Sequence, residues 1–149
     1  MKHFFTLCII IFSSLSTYAQ ILEPVKWTTS VEKINDTEAI LTAKAKIENG
    51  WHLYSQTAPE LGPVPTSFTY NGGSEYMKKG NTQEGEGIMI HDPVFNVEIK
   101  FFKDEATFTQ RIKLNSKKAF NIKGSVEFMV CDDERCLPPT ETDLEFKVE

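Results

Sequence analysis

The sequence predicts an all-β protein, an immunoglobulin-like antiparallel β-sandwich. Three observations carry this reading: apolar side chains recur at every second position, no window shows the spacing of an amphipathic helix, and the strand-like runs are short and separated by turn-forming residues. Val25 to Lys33 is the first run. In the second, Ala39 to Glu48, residues Ala39, Leu41, Ala43, Ala45 and Ile47 fall on one face and Thr42, Lys44, Lys46 and Glu48 on the other, which marks a half-buried strand. Gly50 to Ser55, Thr66 to Tyr70, Val94 to Lys103 and Ala106 to Leu114 follow. Ile122, Gly124, Val126, Phe128 and Val130 then alternate with Asn121, Lys123, Ser125, Glu127 and Met129, and Leu144, Phe146 and Val148 repeat the pattern at the end. These make seven or eight strands, the number such a sandwich uses.

Two connections are longer than hairpins need. Residues 56–66 carry Pro59, Pro63 and Pro65, which favour a stiff, extended crossing between sheets. Residues 80–95 combine Gly80, Gly85 and Gly87 with Ile88, Met89, Ile90 and Phe95, and read as a flexible loop bearing apolar side chains. Its isoleucines either plug the end of the sandwich or serve a function.

The first nineteen residues, "MKHFFTLCIIIFSSLSTYA", place Lys2 and His3 before an apolar stretch and close on small residues, the layout of a secretory signal cleaved after Ala19. Residues 20–149 then form a single exported domain. No later segment is long and apolar enough for a membrane helix, so no stable membrane insertion is expected after cleavage. The whole chain carries −5; the leader holds Lys2 and no acid, so the mature charge is −6. Such an acidic balance disfavours nucleic acid and anionic membrane surfaces as partners.

Cleavage also removes Cys8 and leaves two cysteines, in "VEFMVCDDERCLPP". In an exported protein, Cys131 and Cys136 are expected to be oxidised. The pair would sit on a tight connection at one end of the sandwich, where side chains are exposed. A bridge closing a loop of about six residues contributes roughly 2 kcal/mol in the chain-entropy model, which is inefficient for a staple and leaves redox exchange as the alternative. Asp132, Asp133 and Glu134 surround the sulfurs with negative charge that only Arg135 opposes, an arrangement that raises thiol pKa values and suits exchange between specific partners. Zinc held by Cys131, Cys136, His52 and His91 is a weaker alternative, because the cysteine spacing is longer than zinc motifs use. Neither a metal nor any other cofactor is expected.

The cysteine segment, together with "GWHLYS" at 50–55 and "HDPVFNVEI" at 91–99, resembles the N-terminal periplasmic domain of the thiol:disulfide interchange protein DsbD, over roughly Val25 to Glu149. The resemblance implies an immunoglobulin-like sandwich whose cysteine pair carries electrons from a membrane-embedded DsbD-type donor, through a thioredoxin-like domain, to thioredoxin-fold periplasmic proteins and cytochrome c maturation factors. It implies that Cys136 forms the mixed disulfide with partners and that Cys131 resolves it. "HDPVF" is similar to the family's cap loop, so Phe95, or Val94 if the register slips, is expected to shield the disulfide, with His91 and Asp92 on the same loop. His52 and Tyr54 match positions where the family places aromatic residues beside the cysteines. Glycines 85 and 87 would hinge the cap. The resemblance covers neither membrane spans nor a thioredoxin-like domain, so the electron donor is expected in trans. The rival reading is a non-catalytic immunoglobulin-like interaction module with a structural disulfide.

Overall fold

A computed structural model describes residues 22–93 and 95–149. The expected leader, its cleavage site after Ala19, and Val94 lie outside them. Within the described residues the chain forms β1 Val25–Asn35, β2 Glu38–Ile47, β3 His52–Tyr54, β4 Ser67–Tyr70, β5 Tyr76–Glu84, β6 Ile88–Asp92, β7 Val97–Phe102, β8 Glu105–Leu114, β9 Phe120–Phe128, β10 Val130–Cys131 and β11 Thr140–Val148. All strand pairs are antiparallel. One sheet runs β1-β2-β8-β5; facing it are a sheet β11-β9-β4 and a sheet β10-β3-β7-β6. The latter two meet where Met129 separates β9 from β10. The fold is the predicted sandwich.

Period-two alternation is what builds it. Ala39, Leu41, Ala43, Ala45 and Ile47 of β2 are all buried, as are Phe108 and Ile112 of β8, and they pack against Ile122, Val126 and Phe128 of β9 and Leu144, Phe146 and Val148 of β11. Trp27 bridges the layers, its ring 5.7 Å from Phe108 in its own sheet and 5.5 Å from Phe128 opposite. Each large apolar side chain buried in this way stabilises the fold by about 1.5–3 kcal/mol. Polar groups join the layers at both margins. Thr29 Oγ1 donates to the Glu145 carbonyl at 2.6 Å. On the opposite margin, the Glu84 carboxylate at the end of β5 accepts from Ser55 Oγ at 2.6 Å, Gln56 N at 2.8 Å and Lys100 Nζ at 2.9 Å.

Two expectations need correction. Residues 80–95 are not a long flexible loop, since β5 continues to Glu84 and β6 occupies Ile88–Asp92. β5 hides from a periodicity reading because it is an edge strand with only Tyr76 buried, and its register against β8 breaks between Lys79 and Gln83. Gly80 takes φ +69° in this bulge. Buried Gln110 donates its amide to the Lys79 carbonyl at 3.2 Å and accepts from Thr82 Oγ1 at 3.0 Å, pairing polar groups that the bulge displaces. Gly87 is tightly packed rather than a hinge: a Cβ there would strike the Phe101 carbonyl and the Phe102 ring. Gly85 is tied by its N–H to the Thr107 carbonyl at 2.9 Å. Residues 56–66 do join two sheets, but as an excursion whose ends meet. Thr66 N donates to the Ser55 carbonyl at 3.0 Å, and a turn from Pro59 to Gly62 lies between.

Candidate functional site

Strand parity decides where the site lies. In the sheet β10-β3-β7-β6, Leu53, Phe102 and Val130 point into the sandwich core, so their neighbours His52, Tyr54, Phe101 and Cys131 must point to the outer face. There Tyr54, Ile99, Phe101 and Cys131 form a second, smaller apolar cluster with Ile90, Phe95, Val97, Met129 and Cys136 packed on it. The site is therefore on a sheet face and not at an end of the sandwich. Cys131 is only 2% exposed, contrary to the expectation that both sulfurs would be accessible, because it packs in a cluster with Tyr54, Ile99 and Phe101 against which Phe95 and Met129 also lie. Cys136 remains partly exposed.

The two cysteines are disulfide-bonded and face each other directly across a hairpin. Asp132 N donates to the Arg135 carbonyl at 2.9 Å, and Leu137 N to the Val130 carbonyl at 2.9 Å. The Asp132 carboxylate is engaged in forming this turn, accepting from Glu134 N at 2.9 Å and Arg135 N at 2.7 Å. The Glu134 bond above all holds its carboxyl below the ordinary range, with Arg135 adding to the effect. Arg135 lies 3.5 Å from Asp132 and over the Trp51 ring. Asp133 and Glu134 are exposed at the tip.

A second hairpin faces the first. β6 and β7 pair through Asp92 opposite Val97, and the turn between them carries Phe95. Asp92, itself buried, accepts through Oδ1 from Phe95 N at 3.0 Å and through its carbonyl from Asn96 N at 2.8 Å. Asn96 takes φ +56°, a left-handed conformation that asparagine tolerates. Both hairpins thus use an aspartate as their first turn residue to fix the backbone that presents the functional side chain. Phe95 reaches back to the sheet, its ring edge-on to Tyr54 with centroids 6.2 Å apart.

Between the hairpins lies a cavity of about 530 Å³ lined by Cys131, Cys136, His52, Tyr54, Asp92, Phe95 and Asp132 to Arg135. His91 is not among its lining residues. It sits on the opposite face of β6, exposed, with Asn96 at 3.1 Å and Glu98 at 3.5 Å. The zinc alternative fails on geometry, because two of its four ligands are bonded to each other and His91 points away. Ile90, Pro93, Phe101, Lys103 and Met129 also line the cavity and went unrecognised in the sequence. A usable signal existed for two of them: Met129 shares parity with Cys131, and of the adjacent pair Phe101 and Phe102 one ring had to face outward.

His52 and Tyr54 form the polar floor. Tyr54 Oη lies 3.3 Å from His52 Nε2. Burial, reinforced by the Asp92 charge, pushes the Tyr54 phenol up to about 12. Burial and then Lys103 hold the His52 imidazole below its ordinary value, against opposing pulls from Asp92, Asp133 and Asp132.

A cysteine pair shielded by a cap loop is what the sequence resemblance implies, and residues 19–147 match the family model "Thiol:disulfide interchange protein DsbD, N-terminal". The chain belongs to the DsbD N-terminal family. Solved structures agree at the level of fold. The Neisseria meningitidis DsbD N-terminal domain in its reduced form aligns over 78% of this chain and 82% of its own, with a TM-score of 0.52 and 14% identity. The N-terminal periplasmic domain of ScsB from Proteus mirabilis aligns over 81% of this chain and 44% of its own, with a TM-score of 0.56 and 15% identity. A complex between the DsbD N-terminal and PilB N-terminal domains of Neisseria meningitidis contains a chain that aligns over 80% of both, with a TM-score of 0.52 and 13% identity. Among curated proteins, none matches the chain in sequence. Membership of the DsbD N-terminal family carries thiol:disulfide redox activity in general terms. Among the described residues no helix is long and apolar enough to cross a membrane.

Proposed function

We propose that this chain is a periplasmic carrier of electrons between proteins, with Cys131–Cys136 as its redox couple and the Phe95 loop as its gate. The observation that carries the reading is the asymmetry of the pair: Cys136 is partly exposed in a cavity wide enough for another protein's side chains, whereas Cys131 is buried behind it. A partner thiolate attacks the Cys136 sulfur, and the Cys131 sulfur leaves with the electron pair of the broken bond. A second partner thiol then attacks the mixed disulfide, so the chain gains two electrons and two protons while the donor becomes a disulfide. The reduced chain runs the same steps backwards on an acceptor. A DsbD-type membrane protein as donor, thioredoxin-fold periplasmic proteins as acceptors, and export by a leader cleaved after Ala19 complete the proposal. No small-molecule substrate or cofactor is involved.

A purely structural bridge is disfavoured because it closes a loop of only about six residues, which contributes roughly 2 kcal/mol in the chain-entropy model, less than a longer bridge across the sandwich would. The test is capture: Cys131→Ser is expected to trap a thioredoxin-fold partner in a dithiothreitol-sensitive adduct through Cys136, and the further change Cys136→Ser to abolish it. Absence of any adduct under mild redox conditions would overturn the reading.

A further inference from the structure

We propose that His52 exchanges a proton with the Cys131 sulfur, as base when that sulfur attacks and as acid when it leaves. The proposal deepens the exchange function above and rests on it. The strand register supplies the geometry, since His52 on β3 and Cys131 on β10 are directly paired. Paired residues on one sheet face hold their Cβ atoms about 4.5–5.5 Å apart, and both side chains line the same cavity. Cys131 is 2% exposed, so bulk water has little access to a sulfur that must carry negative charge during exchange. A buried thiolate is costly unless a neighbour supplies or removes the proton. Imidazole is the side chain that does so near neutral pH.

The surroundings prepare the ring for this task. Tyr54 stays a phenol across the neutral range, because burial and the Asp92 charge push it up to about 12. Its oxygen, 3.3 Å from Nε2, can accept the ring's own N–H there, which leaves the Nδ1 lone pair to take the Cys131 proton. Burial and Lys103 favour the neutral ring; Asp92 on β6 and Asp132 and Asp133 on the cysteine hairpin temper that preference. The neutral ring is the form that can act as a base. In the closing step, the Cys131 proton passes to His52 and on to solvent. The Cys131 sulfur bonds to that of Cys136, and the partner's sulfur leaves with the electron pair of the mixed disulfide. Opening reverses each transfer.

The test uses reduced protein and the aromatic disulfide dithiodipyridine. Cys136 displaces one thiopyridone; Cys131 then closes the protein disulfide and displaces a second, so the dithiol is oxidised as the reagent is reduced to two thiopyridones. The rate of the second release is followed from about pH 4 to 8, the range in which imidazole titrates. Wild-type protein is expected to show a rise that levels off with imidazole deprotonation. His52→Gln should lose that step, climb only towards the thiol range near pH 8.5, and fall on the order of 100-fold at neutral pH. Tyr54→Phe keeps the imidazole but removes the acceptor that fixes its tautomer and favours its protonated form, so the midpoint of the rise should move to lower pH. A His52→Gln profile identical to wild type, or an unmoved midpoint in Tyr54→Phe, overturns the proton role. Wild-type protein that never gives the second release overturns the exchange function itself.

Discussion

The strands β3, β7 and β10 present two faces with different chemistry. Inward, Leu53, Phe102 and Val130 join a core of aliphatic and aromatic side chains in which the ionisable groups, among the described residues, are the phenols of Tyr76 and of Tyr70 packed against it. Outward, the intervening residues set a disulfide, an imidazole and a phenol beside apolar rings, with Phe95 of the β6–β7 turn packed against them. One sheet serves both because alternation separates its two sets of side chains completely. The difference shows how a small sandwich can open a reactive site without loosening itself: the outer cluster is thin and covered by a turn, whereas the inner core is shared by both layers.

The sharpest way to break the contrast is from the inner face. Phe102 is 2% exposed and packs edge-on against Phe108 with centroids 5.6 Å apart. Phe102→Ala is expected to cost about 3–5 kcal/mol in denaturant unfolding while leaving the exchange chemistry of the folded fraction intact. Opening the outer face should cost less. Reducing Cys131–Cys136 with dithiothreitol releases a loop of about six residues, worth roughly 2 kcal/mol. The unfolding free energy should drop by that amount, with native circular dichroism retained.

The inner face was legible in the sequence and the outer one only in part. Ala39 to Ile47 and Ile122 to Val130 declare their buried faces because each packs on one side only, and strict alternation follows. β5 did not declare itself, since an edge strand interrupted at Gly80 owes its place to pairing with β8 and to Gln110, not to a buried stripe. The cysteines, Phe95, His52 and Tyr54 could be placed near one another from the resemblance. The burial of Cys131 could not, because the side chains packed around it, Tyr54, Ile99, Phe101 and Phe95, come from β3, β7 and the turn before β7, distant in sequence. The role of Asp132 was hidden for a different reason. As a string of letters it reads as charge beside sulfur, yet in the fold its carboxylate is committed to two backbone N–H groups.

The margin where the layers join offers a pH-dependent probe. Burial pushes the Glu84 carboxyl up, but the bonds from Lys100, Ser55 and Gln56 outweigh it and leave it below the ordinary range. A carboxyl lowered in the folded state contributes stability that is complete above its unfolded value, near pH 4.3, and is lost as pH falls through the folded value. Glu84→Gln should remove that part of the acid sensitivity and cost about 1–2 kcal/mol at neutral pH. Thermal unfolding of both proteins from neutral to acid pH measures it, and parallel curves would separate Glu84 from the acid response.

The smallest expected change in stability comes with the most informative change in reactivity. Phe95 is partly exposed on a turn whose backbone is held by Asp92 rather than by the ring. Phe95→Ala should therefore cost only about 1 kcal/mol. Its ring, edge-on to Tyr54, nevertheless lines the cavity that leads to Cys136. Removing it widens the approach along which an attacking thiolate must reach the sulfur. Reduction by glutathione should accelerate several-fold, whereas reduction by a protein partner able to displace the loop should change little. The ratio of those two rates measures how far the outer face is guarded. If Phe95→Ala leaves glutathione as slow as in wild type, the shielding comes from the burial of Cys131 and the walls of the cavity, and the loop is scaffold rather than gate.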